Sequence, residues 1–246
     1  MSSSDHSLRV LVRKLESIGP LSAEERQAVE SLPVKTRVLE PGHDIVNDGD
    51  QPSHSCLVLS GWVCRYKMLS LGRRQVLSFH VAGDIPDLQS LHLPLMDYSL
   101  APLTRSAVAF IAHESLRELT ATFPGLAAVL TRDLLIDAAA YRAWLTGLGR
   151  RSAYERLAHL FCELYLRQQA VGLAEAHRCP LPITQMDLGD ALGLSNVHVN
   201  RVLKEMRGSG LVTLRAGTLV IEKWPELAQA AEFDPSYLHL RSGHAV

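Results

Sequence analysis

Ile183-Thr-Gln-Met-Asp-Leu-Gly-Asp-Ala-Leu-Gly-Leu-Ser-Asn-Val-His-Val-Asn-Arg-Val-Leu-Lys-Glu-Met-Arg-Gly-Ser-Gly-Leu-Val-Thr-Leu-Arg-Ala-Gly-Thr-Leu-Val-Ile221 holds two short helical patterns, a tight turn and a hairpin signal. Thr184 and Asp187 form a capping-box-like opening with Asp in place of the usual Glu or Gln, and Leu188, Ala191 and Leu192 follow at helical spacing. Gly193 stops this helix, Leu194 plugs the turn, and the Ser195 hydroxyl can accept from the free amides that open the next helix. Val199, Val202, Leu203 and Met206 make a buried stripe on that second helix. Asn196, Val197, His198, Asn200, Arg201, Lys204 and Arg207 fall on its other faces, as a major-groove reader requires. Gly208-Ser-Gly210 ends the helix, and two β-branched runs, Leu211 to Thr213 and Thr218 to Ile221, flank Arg215-Ala-Gly217 as a wing. The stretch therefore reads as a winged helix-turn-helix. A helical hairpin packed on a small sheet for structure alone would not need the turn, the polar outer face and the wing together.

With 246 residues, 47% of them hydrophobic, the chain can bury a sizeable core and is long enough for two domains. No run reaches the 18 or so apolar residues of a membrane helix, and the start, Met-Ser-Ser-Ser-Asp-His, lacks a signal-peptide pattern, so a cytoplasmic location is expected. Cys56, Cys64, Cys162 and Cys179 form no Cys-x-x-Cys pair, which argues against a zinc ribbon or disulfide framework and predicts buried, inert thiols. The formal net charge of −1 gives no nucleic-acid signal. Local charge does: residues 195 to 215 carry Arg201, Lys204, Arg207 and Arg215 against the single anion Glu205.

Working outward, residues 5 to 31 predict a helical cover in which Ser22 and Glu25 form a capping box. From Thr36 to about Ala112 short β-type runs follow: Arg37 to Leu39, Ile45 and Val46, Cys56 to Leu59, Trp62 to Lys67, Gln75 to Phe79 and Ala107 to Ala112. Their spacing argues for a small antiparallel barrel or sandwich, and Gly42, Gly49 and Gly61 punctuate them at positions where a tightly rolled sheet turns corners. Helices return at Glu114 to Thr122 and Pro124 to Gly147. The second carries a stripe of Leu126, Leu130, Leu134, Ala138, Tyr141, Leu145 and Leu148 that needs a partner, either a packed neighbour of the same chain or, better suited to paired DNA-reading helices, a copy from a second subunit across a two-fold axis. Gly147-Leu-Gly-Arg-Arg151 reads as a hinge, Tyr154 to Tyr165 as an amphipathic helix, Glu175 to Pro182 as a polar loop, and the tail as frayed after Asp234-Pro235.

The order β-roll, long helix, hinge and winged helix resembles the Crp-Fnr superfamily of bacterial transcription regulators over nearly the whole chain. The most specific match is Ile183-Thr-Gln-x-Asp-Leu-Gly-x-x-Leu-Gly-Leu-Ser-x-x-x-Val-x-Arg201-x-Leu-Lys, and Gly72-Arg-Arg-Gln-Val-Leu-Ser-Phe79 through Gly83-Asp84-Ile85 resembles the segment leading into that family's effector pocket. The resemblance implies an α+β fold with an N-terminal antiparallel β-roll, or double-stranded β-helix, in residues 1–122. A dimerisation helix and hinge would occupy 123–149, and a winged helix-turn-helix 150–246. It further implies a homodimer on a palindromic double-stranded DNA operator, with RNA polymerase as a partner and no membrane association. On this resemblance Ser195 would contact a phosphate and Arg201 would read a guanine bidentately. Asn196 and Val197 stand where many members place Arg and Glu, so a different operator is expected; Asn200 would meet adenine or backbone, His198 a phosphate or solvent, and the local positive charge sets Lys204 and Arg215 toward phosphates.

At the effector pocket the match is looser. Gly83, Asp84 and Ile85 replace Gly-Glu-Leu, and Met96-Asp-Tyr-Ser99 supplies Ser99 but puts Asp97 where a phosphate-clamping Arg belongs. An anion beside a cyclic phosphate is repulsive, so cyclic nucleotide is not expected as the ligand and some other small-molecule effector is left open. No cysteine precedes Cys56 to hold an iron-sulfur cluster, and the spacing of His43, His80, His92 and His113 favours no haem ligand, so no cofactor is expected. The competing class is a cupin-like metal enzyme, suggested by His43-x-x-x-Asn47 in a small barrel. It lacks the His-x-His and Glu that a catalytic metal needs, and no Ser-His-Asp elbow, Walker loop or Gly-x-Gly-x-x-Gly occurs.

Overall fold

The capping boxes expected at Ser22 and Thr184 both form, and a third caps the helix that begins at Ala153. These observations come from a computed structural model that describes residues 8–241; the chain start, Met1 to Ser7, and the end of the tail, Ser242 to Val246, lie outside the described residues. The chain divides into two compact units. The first runs to Ser70 and adds Leu77–Leu135, and the second comprises Leu71–Val76 and everything from Ile136.

In the first unit, α1 (Arg9–Ile18) and α2 (Ala23–Glu30) precede the strands. β1 (Val34–Leu39), β6 (Ser106–Ala112) and β2 (His54–Ser60) form one antiparallel sheet in the order β1-β6-β2. β4 (Arg74–His80), β3 (Val63–Met68) and β5 (Ser99–Pro102) form a second, in the order β4-β3-β5. Cys56, Val58, Val63, Met96, Tyr98, Leu100 and Val108 fill the space within the roll. Gly42, Gly49 and Gly61 all take positive φ, as their corner positions demand. The run Ile45-Val46 contributes only the single bridge Val46↔Leu100, and β5 was not expected, because four residues ending in proline give no alternating signal. α3 (His113–Thr122) leads into α4 (Pro124–Arg150).

α4 continues through Gly147 and Gly149 instead of stopping at the expected hinge, and only Arg151 and Ser152 separate it from α5 (Ala153–Ala170). Two glycines cost a helix about 1 kcal/mol each, too little to break one that is held by its neighbours. Leu126 and Leu130 of the apolar stripe are buried within one chain, whereas Leu145 and Leu148 are 71% and 41% exposed. α5 is not a one-faced surface helix. Leu157 to Leu166 is buried on every side, because β7 (Arg178–Pro180), α6 (Gln185–Leu192), α7 (Asn196–Gly208) and α8 (Trp224–Ala230) all pack around it. β7 lies in the expected polar loop and pairs with β9 (Thr218–Ile221), which pairs with β8 (Val212–Arg215) to give a three-stranded wing sheet. Past Asp234 the described tail does not fray at once: Pro235–Leu238 form a short 3-10 turn with Tyr237 and Leu238 packed inward, and residues 242–246 lie outside the described residues. All four cysteines are buried free thiols; burial pushes Cys162 and Cys179 up to about 12 and raises Cys56 well above the usual thiol range.

Two local constraints give measurable consequences. A Cβ on Gly189 would lie 2.6 Å from the carbonyl oxygen of Leu194, a backbone atom that cannot step aside. Gly189→Ala should therefore destabilise the second unit by about 1–3 kcal/mol in chemical denaturation, despite alanine's better helix propensity; unchanged stability would show that the turn has slack. In the roll, fully buried Asp87 accepts from the Cys56 amide (2.7 Å), and its other oxygen finds no partner among the described residues. Burial lifts its pKa from 3.8 to about 7, against the opposing pull of the Cys56 amide and Arg65. A raised folded pKa means that stability is lost as pH rises from about 4 through about 7. Asp87→Asn should remove that slope, gaining on the wild type by about 2–4 kcal/mol between pH 4 and 8, as read from melting curves.

Candidate nucleic-acid interface

The reader is assembled from short-range interactions. The Thr184 hydroxyl accepts from the Asp187 amide (3.1 Å), and one Asp187 oxygen accepts in return from the Thr184 amide (3.0 Å) and hydroxyl (2.6 Å). The other Asp187 oxygen pairs with Arg74, whose Nε also donates to Asp190 (2.8 Å); Arg74 belongs to the short segment Leu71–Val76 that groups with this unit. Leu194 closes the turn by donating its amide to Gly189 O (3.0 Å). Arg156 of α5 donates to Leu192 O (2.7 Å) and so holds the end of α6.

Ser195 caps α7, its Oγ accepting from the His198 amide (3.2 Å). The hydroxyl proton is then free to point outward toward an anion, beside the unpaired amides of the helix start. Val199, Val202, Leu203 and Met206 are all buried, which fixes the rotation of α7 about its axis. Asn196, Val197, Arg201, Lys204 and Arg207 are exposed, Val197 by 81%, while His198 and Asn200 are half-buried. Seven of the expected site residues, Ser195, Asn196, Val197, His198, Asn200, Arg201 and Lys204, thus share this one capped helix. Arg215 is exposed at the end of β8, in the wing.

Four of the outward side chains of α7, Asn200, Arg201, His198 and Arg207, have internal partners that the sequence did not signal. Asn200 donates its amide to Gln185 Oε1 (3.1 Å), tying α7 to α6. Arg201 donates to His198 Nε2 (2.8 Å). Since a guanidinium only donates, the imidazole must accept there and carry its proton on Nδ1. Arg207 folds back, its Nε donating to Leu203 O (3.1 Å).

The expected effector residues lie in the first unit. Asp84 is buried and engaged: Lys14 reaches Oδ1 (3.1 Å), while Oδ2 accepts from the Val81 amide (3.0 Å) and has His80 Nδ1 at 3.5 Å. A Cβ on Gly83 would lie 2.9 Å from both the Val10 carbonyl oxygen and Lys14 Cβ, so α1 presses directly on this turn. Ile85 is buried, and Ser99 Oγ accepts from the Asp48 amide (3.1 Å). Arg65, which sequence reading passed over, is a buried cation beneath the roll; its Nε donates to Pro86 O and its guanidinium lies 5.2 Å from the Tyr98 ring centre. Among the described residues no three His, Cys, Asp or Glu side chains converge as a metal site, and no helix is long and apolar enough to cross a membrane.

Comparison with known proteins meets this geometry at both ends. Residues 36–123 match a sequence model of the cyclic nucleotide-binding domain, and residues 155–230 match one of the Crp-like helix-turn-helix domain. The nitrogen fixation regulation protein FixK of Rhizobium meliloti is 29% identical over 85% of this chain and 90% of its own. Electron transport regulator A of Shewanella oneidensis is 26% identical over 84% of this chain and 82% of its own. The structure of FixK2 from Bradyrhizobium japonicum superposes with a TM-score of 0.73 at 26% identity, covering 81% of this chain and 98% of that one. With a β-roll, a long helix and a capped reader in this order, and regulators rather than enzymes as its relatives, the chain belongs to the Crp-Fnr superfamily of dimeric, DNA-binding transcription regulators.

Proposed function

We propose that α7 is the recognition helix of this regulator and enters the major groove once per half-site of a palindromic operator. The observation that carries this reading is the position of Arg201. It is exposed on a helix whose rotation is fixed by Val199, Val202, Leu203 and Met206, six residues beyond the Ser195 cap. A guanidinium there can pair with guanine O6 and N7 while the Ser195 hydroxyl donates to a phosphate. Val197 offers only a methyl surface, suited to the methyl of thymine. Asn200 has one of its two amide protons committed to Gln185, so a bidentate pairing with adenine would have to use the other proton together with the oxygen. Lys204, Arg215 and His198 serve the backbone, and Asn196 sits at the groove end of the helix.

The first unit supports a regulator that does not depend on cyclic AMP. Asp84 is neutralised by Lys14 instead of facing a ribose, and Asp97 occupies the place of a phosphate clamp. The same reading holds that the dimer binds its operator without any small molecule, requires no haem, iron-sulfur cluster or metal, acts in the cytoplasm and meets RNA polymerase on DNA.

Selection from a random duplex pool followed by titration tests the reader. Arg201→Ala should cost about 1–3 kcal/mol at the cognate half-site and relax preference at one base, whereas Lys204→Ala should weaken all sequences alike and lower the salt slope by about 1. Unchanged operator affinity in Arg201→Ala would exclude this docking mode. Operator affinity should also stay within about twofold when cyclic AMP is added, and a tenfold gain would restore the nucleotide as effector.

A further inference from the structure

Glu163, midway along α5, buries its carboxylate completely, at 0% exposure. A buried carboxylate is costly unless several donors converge on it. Here three do, and they come from separate stretches of the second unit. Trp144 of α4 donates its indole N–H to Oε2 (2.9 Å), and the Tyr237 hydroxyl donates to the same oxygen (2.7 Å). Arg167, one turn along α5, reaches Oε1 (3.3 Å).

The tail that brings Tyr237 is built into the unit. His159, one turn before Glu163, stacks on the Tyr237 ring (5.8 Å between centres, 10° between planes) and meets Phe233 edge-on (5.1 Å, 74°). Phe233 in turn stands nearly perpendicular to Trp224 (86°) and to Tyr237 (82°). Burial lowers His159 to about 4 and, with the Glu163 charge, raises Tyr237, so the stack stays neutral and the phenol stays a donor. Trp144 and Leu148 of α4 line a narrow cleft together with Arg156, His159 and Leu192. α5 therefore carries the end of α6 through Arg156 and grips α4 through Glu163.

We propose that Glu163, Trp144 and Tyr237 are positioning residues for DNA reading: together they fix the angle between the dimer helix and the recognition helix, and with it the half-site spacing that the dimer accepts. In a two-fold dimer the separation of the two readers follows from that angle, because each α7 is carried on its own α4. The inference rests on the DNA-reading role of α7 proposed above and on α4 as the helix that pairs the two subunits.

The test uses the full-length chain and the palindrome that the wild type selects, with the half-sites held constant and the spacer changed by one and two base pairs in either direction. Tyr237→Phe and Trp144→Phe each remove a single donor while keeping a ring in place, and Glu163→Gln weakens the common acceptor; melting curves establish that each variant folds. The wild type should prefer one spacing by about tenfold or more, and Tyr237→Phe and Trp144→Phe should compress that preference to about twofold without altering base preference within a half-site. Parallel loss of affinity at every spacing, or an unaltered spacing preference, would overturn the positioning role while leaving the reader intact. A wild type that binds no duplex would sink the DNA-reading role and this inference with it.

Discussion

The approach of the Leu194 carbonyl to the α-carbon of Gly189 is the constraint on which the reader depends. Packing at that distance leaves no room for a side chain, so the first helix must offer glycine where the turn folds back. Once the turn is closed, the apolar stripe of α7 can face the core in only one way, and Arg201, Val197 and Ser195 are turned outward without any contact of their own having to hold them there. The hydrogen bonds that add to this, Asn200 to Gln185 and Arg201 to His198, adjust side chains on a helix already placed. The outward set of α7, on which the proposed DNA reading rests, is thus a consequence of burial on the opposite face.

The roll illustrates the opposite economy, with polar groups turned inward. Lys14, Asp84 and His80 meet under α1, and Arg65, Tyr98 and Asp87 meet beneath the strands. Each group is used by its neighbours, and Asp87 is left with an oxygen that is more comfortable protonated. A ligand entering here would have to displace an existing pair. That supports a first unit whose polar interior has been turned to structure, in keeping with the missing cation at Asp97.

Much of this was legible in the sequence because the signals are local. Capping boxes at Ser22 and Thr184, the Ser195 cap, the α7 stripe and the corner glycines each depend on residues within a few positions of one another. What escaped reading depends on distant partners. Asn200 looks like a groove residue until Gln185 comes beside it, Arg65 looks like one more strand cation until it lies over Tyr98, and the glycines after Leu145 look like a hinge until the helix is packed. The tail misled in the same way: Asp234-Pro235 marks a chain break by local rules, yet Tyr237 is retained by a carboxylate 74 residues earlier.

The account stands most directly on where α7 meets DNA. Methylation interference at guanine N7 on the selected operator measures this base by base. Wild-type binding should be blocked by methylation of one guanine in each half-site, the two lying about one helical turn apart in the major groove, and the block should vanish in Arg201→Ala. Absence of interference at guanine N7 with interference at adenine N3 of the minor groove instead, or interference at guanine N7 that survives in Arg201→Ala, would contradict the account.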